Sequence, residues 1–479
     1  MTGKRTLLRT VALWALLLGV TVGLRAGVAI HFPNVFHPDE IFQTLEPAHR
    51  IAFGYGASTW EWRGGVRSWV FPTFLAGVMR TTVWMGPGSA GYLDGIIVVM
   101  SLGAMATVWF AYAWARRVSS PEAAIIAAGA CATFFGLVYF SSKALTEVAA
   151  TNFLLPGLYL GIYGDQATEK RRLFFAGILV GLAGSLRIQI IPAVGFAALY
   201  FCYPRWRQRI PAVAAGLALP VLAFGLVDKL TLTYPWQSFI RYFQVNVSEG
   251  RSLDYGVMPW YWYLELMVLL LGPVLLFIWQ GARRSPFLAA VIVIIVGSHS
   301  LLSHKEIRFM YPMLAPAIVL GAIGFVESAK RLRARFTLLA SPTALVAAGL
   351  AFFVLSSALM AATSVRWLKP QGAQLAFQQL SRDPALCGVG FTGVTWWKTG
   401  GYSSLHRDVP IVAVSDEADI AKQAPTFNAL VAPSATPGIP SSYAESGCSN
   451  GVCLYRRPGG CETPQPEDTL DGYLRKTGK

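Results

Sequence analysis

Residues 91–117, GYLDGIIVVMSLGAMATVWFAYAWARR, decide the fold. Between Gly91 and Ala115 the single charge is Asp94, and the run then stops on Arg116-Arg117. A helix rises about 1.5 Å per residue, so this stretch outreaches the roughly 30 Å hydrocarbon core of a bilayer. A pair of arginines directly behind it marks a cytoplasmic end. The pattern recurs near 11–30, 121–140, 146–164, 172–186, 188–204, 210–227, 260–280, 286–302, 310–327 and 338–362, which predicts an all-α polytopic membrane protein with about eleven spans. Composition agrees, with 54% hydrophobic and 14% charged residues, against roughly 25% charged in soluble domains. A water-soluble enzyme of 479 residues could not bury so much apolar side chain. Disorder, collagen and small disulfide scaffolds are excluded on the same grounds.

The net charge of +15 sits in short clusters between apolar runs, where it sets topology and not nucleic-acid binding. Lys4/Arg5/Arg9, Arg116/Arg117, Lys170/Arg171/Arg172, Arg205/Arg207/Arg209, Arg283/Arg284 and Lys330/Arg331/Arg333/Arg335 fall in alternate connections if there are eleven spans. The N-terminus is then cytoplasmic and the C-terminus outside. The first span reads as an uncleaved anchor because no small-residue cleavage site follows it. The stretch 69–86 must not cross, since one more span would invert every later loop. With Pro72 and Arg80 inside it, it reads as a helix lying in the interface or packed on the bundle.

Two domains follow: a transmembrane domain over 1–363, whose first outer loop is 31–90 with interfacial helices, and a small α/β-type soluble domain over 364–479 on the extracytoplasmic side. That tail is rich in Gly, Pro and Ser and holds Cys387, Cys448, Cys453 and Cys461, while Cys131 and Cys202 lie in spans. Four cysteines in one outward segment predict an oxidising compartment and two disulfides. Of three possible pairings, Cys453–Cys461 with Cys387–Cys448 is preferred.

The same topology gathers the polar residues on one face. Loop 31–90 carries His37-Pro38-Asp39-Glu40, Gln43, Glu46-Pro47, Trp60-Glu61-Trp62 and Arg67-Ser68. The 141–147 turn carries Lys143 and Glu147, and Arg187 follows at the outer end of a helix pair. Asn246, Tyr255 and Trp260 lie in the next outer loop, and His304-Lys305-Glu306 with Arg308 close the set. Ionisable groups this near hydrocarbon are costly and usually face a cavity or one another. Each has a plainer role open to it: Asp39-Glu40 as a helix start, the tryptophans as an interfacial belt, His304-Lys305 as a snorkelling pair, Glu147 as a partner for Lys143 four residues back. Asn246-Val247-Ser248 is formally a glycosylation sequon, too close to the membrane to be used.

His37-Pro38-Asp39-Glu40-Ile41-Phe42-Gln43, with Glu46-Pro47, Thr59-Trp60-Glu61-Trp62 and Arg67-Ser68, resembles the opening signature of glycosyltransferase family 22. These are the polyprenyl-phosphate-mannose-dependent mannosyltransferases of glycosylphosphatidylinositol-anchor and N-glycan precursor assembly. His304-Lys305-Glu306-Ile307-Arg308-Phe309 is similar to that family's second signature, and Asn246, Ser252, Tyr255-Gly256 and Pro259-Trp260 match in order between them. The resemblance covers roughly residues 10–330 and implies a GT-C fold with an outward-facing catalytic cavity. It also implies an inverting transfer of a sugar, mannose first, from a polyprenyl-phosphate donor to a hydroxyl of a glycan, glycolipid or lipid-linked acceptor.

On that reading Asp39 takes the acceptor proton, with Glu40 second in line. Lys305, Arg308 and His304, with Arg187 further off, meet the donor phosphate. His37, Gln43, Trp60, Glu61, Arg67, Glu147, Asn246, Tyr255 and Trp260 complete the substrate sites. The carboxylate and the cations must then share one chamber. A lipid monophosphate leaves well, so no cofactor is expected and no divalent metal is required. Membrane lipid is a partner and nucleic acid is not. The tail points to a bacterial member in the inner membrane with a periplasmic site; the endoplasmic reticulum membrane is the alternative. Three other readings stand behind this one: a GT-C transferase of another lipid-linked hexose or pentose, a transporter or flippase, and an inactive assembly subunit. A transporter predicts paired halves and polar groups near the bilayer middle, which this sequence lacks.

Overall fold

The computed structural model describes residues 2–332, 341–363, 369 and 371–478. Arg333 and Arg335 of the last basic cluster, and the 363/364 boundary, lie outside the described residues, as do the side chains of Lys4, Arg5 and Arg9. Each of the eleven expected stretches contains helix. Among the described residues, six helices are long and apolar enough to cross a membrane: Thr10–His31, Ala90–Val118, Trp206–Thr231, Trp262–Arg284, Ile307–Leu332 and Pro342–Thr363. Pro121–Thr133 and Phe135–Ser141, bent by 52°, make a seventh if counted as one span. Ile188–Cys202 and Pro286–Ser300 are shorter apolar helices, and at about 1.5 Å per residue neither alone matches the roughly 30 Å hydrocarbon core. The chain folds as two compact units, one of 1–27, 98–236 and 242–365, the other of 28–97, 237–241 and 366–479.

In the first unit the Tyr311–Leu332 helix runs through the core, buried from Tyr311 to Gly324. Its neighbours approach at glycines. A Cβ on Gly324 would stand 3.0 Å from the backbone nitrogen of Gly281 and would collide with the Phe277 carbonyl, so the two backbones meet directly. Gly177 and Gly216 do the same for Glu169–Leu186 against Trp206–Thr231, where a Cβ on Gly177 would lie 2.6 Å from the Val213 carbonyl oxygen. Between apolar helices in lipid, close backbone approach of this kind supplies the packing that water would otherwise drive.

The break at Phe134 leaves carbonyls without helical partners, and hydrocarbon does not satisfy them. Arg25, buried in the first helix, donates to the carbonyls of Ala132 (2.7 Å) and Cys131 (2.9 Å) and to Ser141 Oγ (2.5 Å). Ser357 Oγ accepts the Phe135 N–H at 2.8 Å. The kink is therefore a bonded feature, and it delivers the chain to the turn before Glu147.

The second unit contains a five-stranded sheet in the order β2-β1-β3-β5-β4, with β1 Val389–Phe391, β2 Ile411–Ala413, β3 Ala429–Pro433, β4 Ala444–Ser449 and β5 Val452–Arg456. β1 lies parallel to β2 and β3, and the β4–β5 hairpin closes the edge in antiparallel fashion. Val412, Phe427, Leu430, Ala432 and Tyr455 form its core. This is the α/β arrangement expected of the tail.

The disulfides differ from the preferred pairing: they join Cys387 to Cys461 and Cys448 to Cys453. The reason is the turn. Asn450 and Gly451 both take positive φ, at 49° and 78°, as a two-residue hairpin of the favoured hand requires. The register then sets Cys448 opposite Cys453. In the same unit 69–86 forms the Val70–Thr82 helix, which buries Phe71, Leu75, Ala76 and Met79 on one face and exposes Phe74 and Arg80.

Candidate active site

The loop carboxylates stand on a short helical run. Asp39 precedes a π-helical turn, Glu40–Leu45, which passes directly into the α-helix Glu46–Phe53. The Glu40 N–H donates to the His37 carbonyl at 3.2 Å, and the Glu40 carbonyl accepts from Thr44 Oγ1 at 2.6 Å. His37 and Glu40 are buried. Gln43 reaches back to Glu61 Oε1 at 3.3 Å, where Arg67 also donates, from Nη2 at 2.6 Å and Nε at 3.1 Å. Burial pushes the Glu61 carboxyl above its ordinary value; Arg67 opposes the shift and the nearby Asp39 charge adds to it. Asp39, Gln43, Glu61 and Arg67 thus form one polar group. Trp60 opens the short helix Trp60–Arg63 beside them, and Trp62 Nε1 donates to the Phe42 carbonyl at 2.8 Å.

The cationic residues gather within the first unit. Glu147, in the first turn of Thr146–Ile162, forms ion pairs with Arg308 Nη1 at 3.0 Å and Arg187 Nη2 at 3.2 Å. Arg187 is therefore part of the Arg308 cluster, closer than the distant candidate the sequence suggested, and Glu147 is bound by two arginines. Both guanidiniums lie near the Phe309 ring, at 4.6 Å and 5.1 Å. Arg308 Nη2 also meets Glu306 Oε1 at 2.8 Å, and His304 Nε2 meets the same oxygen at 3.2 Å. Lys305 Nζ donates to the Met258 carbonyl at 3.2 Å and to Leu302, so it also fastens the 256–259 segment beneath it.

Asn246 donates to the Tyr242 carbonyl at 3.0 Å, and its own carbonyl accepts from Ser252 at 2.9 Å. Tyr255 lies 6.0 Å ring to ring from His304, while Trp260 is 68% exposed and meets Tyr261 edge-on at 5.9 Å. Sequence reasoning overlooked Glu306, which joins His304 to Arg308, and Phe309. Both were legible as the remaining letters of the second signature. It also overlooked Glu46, wholly buried, whose Oε2 accepts the Ala57 N–H at 2.7 Å. Among the described residues one group, Glu445 with Cys448 and Cys453, has metal-ligand spacing, but its two sulfurs are bonded to each other.

The profile of the Alg9-like mannosyltransferase family matches residues 17–406. The chain belongs to that family. Its sequence is 28% identical to GPI mannosyltransferase 3 of Yarrowia lipolytica over 410 residues, covering 82% of this chain and 75% of the relative. It is also 28% identical to the GPI alpha-1,2-mannosyltransferase 3 of Mus musculus over 307 residues, covering 61% of this chain and 56% of that one. The chain thus spans only a little over half of the mouse relative. Among solved structures it resembles ArnT from Cupriavidus metallidurans bound to undecaprenyl phosphate, with TM-score 0.64, 12% identity and coverage of 94% and 99%. It also resembles the oligosaccharyltransferase of Archaeoglobus fulgidus, with TM-score 0.52, 12% identity and coverage of 93% and 73%. At that identity the likeness speaks for the fold, and it agrees with the GT-C fold expected from the signatures.

Proposed function

We propose that this membrane enzyme transfers mannose, with inversion, from a polyprenyl-phosphate-mannose donor to a hydroxyl of a glycolipid or lipid-linked glycan on the side of the membrane away from the cytosol. The observation that carries the reading is the cluster Glu147, Arg187, Arg308, Glu306 and His304, whose bonds preorganise cations within a buried, low-dielectric setting. Charge that gathers on a departing phosphate is what such an arrangement stabilises.

Asp39 takes the proton of the attacking hydroxyl as the new glycosidic bond forms at the anomeric carbon, and the bond to the lipid phosphate breaks on the opposite face. Glu40 orients the loop or the acceptor. A monophosphate leaving group needs no protonating acid, and we assign no divalent metal to the step. His37, Gln43, Trp60, Glu61 and Arg67 serve the acceptor side, while Asn246, Tyr255 and Trp260 serve the donor.

The positive clusters support a topology in which these groups lie outside, and the two disulfides of the tail suit an oxidising compartment. We read that compartment as the bacterial periplasm. The test is to offer purified protein synthetic undecaprenyl phosphates carrying mannose, glucose or a pentose, with octyl α-mannopyranoside as acceptor, and to follow donor loss. Mannose consumed alone, unaffected by EDTA, is the expected result; consumption of another sugar, or strict dependence on manganese, overturns the assignment.

A further inference from the structure

The run that bears Asp39 continues unbroken from Glu40 to Phe53. Residues 42, 46, 49 and 53 follow one another at helical spacing, so they line one face of it. All four meet the segment 396–406 of the C-terminal part. The Phe42 ring lies 4.5 Å from Trp396. Glu46 Oε1 accepts the Ser403 N–H. His49 Nε2 lies 3.0 Å from His406 Nδ1. The Phe53 ring is 4.6 Å from the His406 ring.

The fit around Glu46 is close. Its second oxygen is bound to the Ala57 N–H at 2.7 Å. Gly401, at φ +58°, leaves room for it, since a Cβ there would stand 2.8 Å from Oε1. Tyr92 donates to the Ser403 carbonyl at 2.6 Å, which steadies the receiving turn. A buried carboxylate bonded on both oxygens is costly to place, and no step of the proposed transfer uses it.

We propose that Glu46 is a positioning residue for Asp39, and that segment 396–406 is a splint without which the base-bearing helix is not held at its working height. The inference rests on the reading of Asp39 as base. A base misplaced by about 1 Å loses on the order of 10²-fold in rate, so a helix fixed at four points along one face has an evident purpose. The tail is then part of the catalytic apparatus and not an appended module.

The experiment compares Glu46→Ala, Glu46→Gln and Asp39→Asn in the full-length protein, with undecaprenyl-phosphate mannose and octyl α-mannopyranoside, each rate normalised to donor-binding stoichiometry. Glu46→Ala should lower kcat by roughly 10- to 100-fold while the donor KM stays within about twofold. Glu46→Gln keeps an acceptor oxygen for the Ser403 N–H and should recover most of that loss. Unchanged kcat in Glu46→Ala, or equal loss in the two variants, overturns the proposal. If Glu46→Ala does not purify as a monodisperse protein, Trp396→Leu carries the same test through Phe42, with a kcat loss of about 3- to 10-fold expected and no loss overturning it. Turnover by Asp39→Asn would sink the base assignment itself; an inactive Asp39→Asn beside an unimpaired Glu46→Ala would sink positioning alone.

Discussion

The His49–His406 pair of one unit and His304 of the other are built for opposite charge states. His49 Nδ1 faces the Tyr55 carbonyl at 2.9 Å, and a carbonyl only accepts, so the proton sits on Nδ1 and the Nε2 lone pair faces His406. His406 must then donate from Nδ1. A further proton on His49 Nε2 would point at another N–H, and burial pushes His49 down to about 4 and lowers His406 as well. His304 is the reverse. Its ring nitrogens face the Gly256 carbonyl at 3.0 Å and Glu306 Oε1 at 3.2 Å, two acceptors, which is the bonding pattern of an imidazolium. The bond to Glu306 raises its pKa. The His49–His406 pair stays neutral where it holds a helix in place; His304 favours the charged form beside its cations. The transfer proposed above likewise gives proton chemistry to the loop and anion binding to the cluster.

Removing the loop's base is the strongest way to break that division. Asp39→Asn preserves shape and removes the proton acceptor, so kcat should fall by 10³-fold or more with donor affinity kept. Single-turnover rates alongside donor titration separate the two quantities, and turnover above a tenth of wild type would end the assignment. Arg308→Ala attacks the other side. It deprives Glu147 of one of two guanidiniums and Glu306 of its Arg308 bond. Donor kcat/KM should drop by roughly 10²-fold, and Arg308→Lys should restore only part, because an ammonium cannot bridge two carboxylates as a planar fork does. If Arg308→Ala left both kcat and donor KM intact, the cluster would not be a phosphate site.

Much of this was legible in the sequence because periodicity and motif spelling are local. The Gly91–Ala115 run, the positive clusters and the two signatures announced a membrane-embedded mannosyltransferase-like chain. The pairing of Glu147 with Arg187 and Arg308 was not legible, since it joins residues 40 and 161 positions apart through tertiary packing. Nor was the contact of Glu46 with Ser403, across 357 residues. The disulfides are a different case. The Asn450-Gly451 turn was in plain view, and reading it as a hairpin would have given Cys448–Cys453 at once. The shortfall in long spans also has a physical cause: inner helices such as Pro286–Ser300 are flanked by Pro and Ser and packed by other helices, so they need not carry a full apolar length.

A smaller effect sharpens the neutral half of the comparison. Burial pushes Glu46 up to about 7, so the folded state resists its ionisation and loses stability as pH rises from about 4.5 to 7. His49 has the opposite sign: its stability is whole above pH 6.5 and is lost as pH falls toward 4. Asp471 adds to the Glu46 shift, the Tyr55 carbonyl opposes that of His49, and Arg407 lowers His406 further. Each of the two linkages is worth on the order of 3 kcal/mol, so in the wild-type protein they largely cancel between pH 7 and 5. Glu46→Gln removes one of them. Its Tm should fall by several degrees more than wild type over that interval, and His49→Gln should reverse the slope. Parallel Tm curves for all three proteins would show that the pair does not titrate as the geometry requires.

The least effect belongs to His304. Its pKa is raised, so the charged form persists above the ordinary histidine value and is lost as pH climbs through the raised one. Donor binding that draws on this charge should weaken in the same direction. Because His304 is partly open to water, the contribution is that of a half-screened ion pair, about threefold in donor KM between pH 6.5 and 8.5. His304→Gln should flatten the KM profile while leaving kcat within about twofold, since the arginines remain. A wild-type KM independent of pH would mean that His304 only ties Gly256 to Glu306, and the anion site would then rest on Arg187, Arg308 and Lys305 alone.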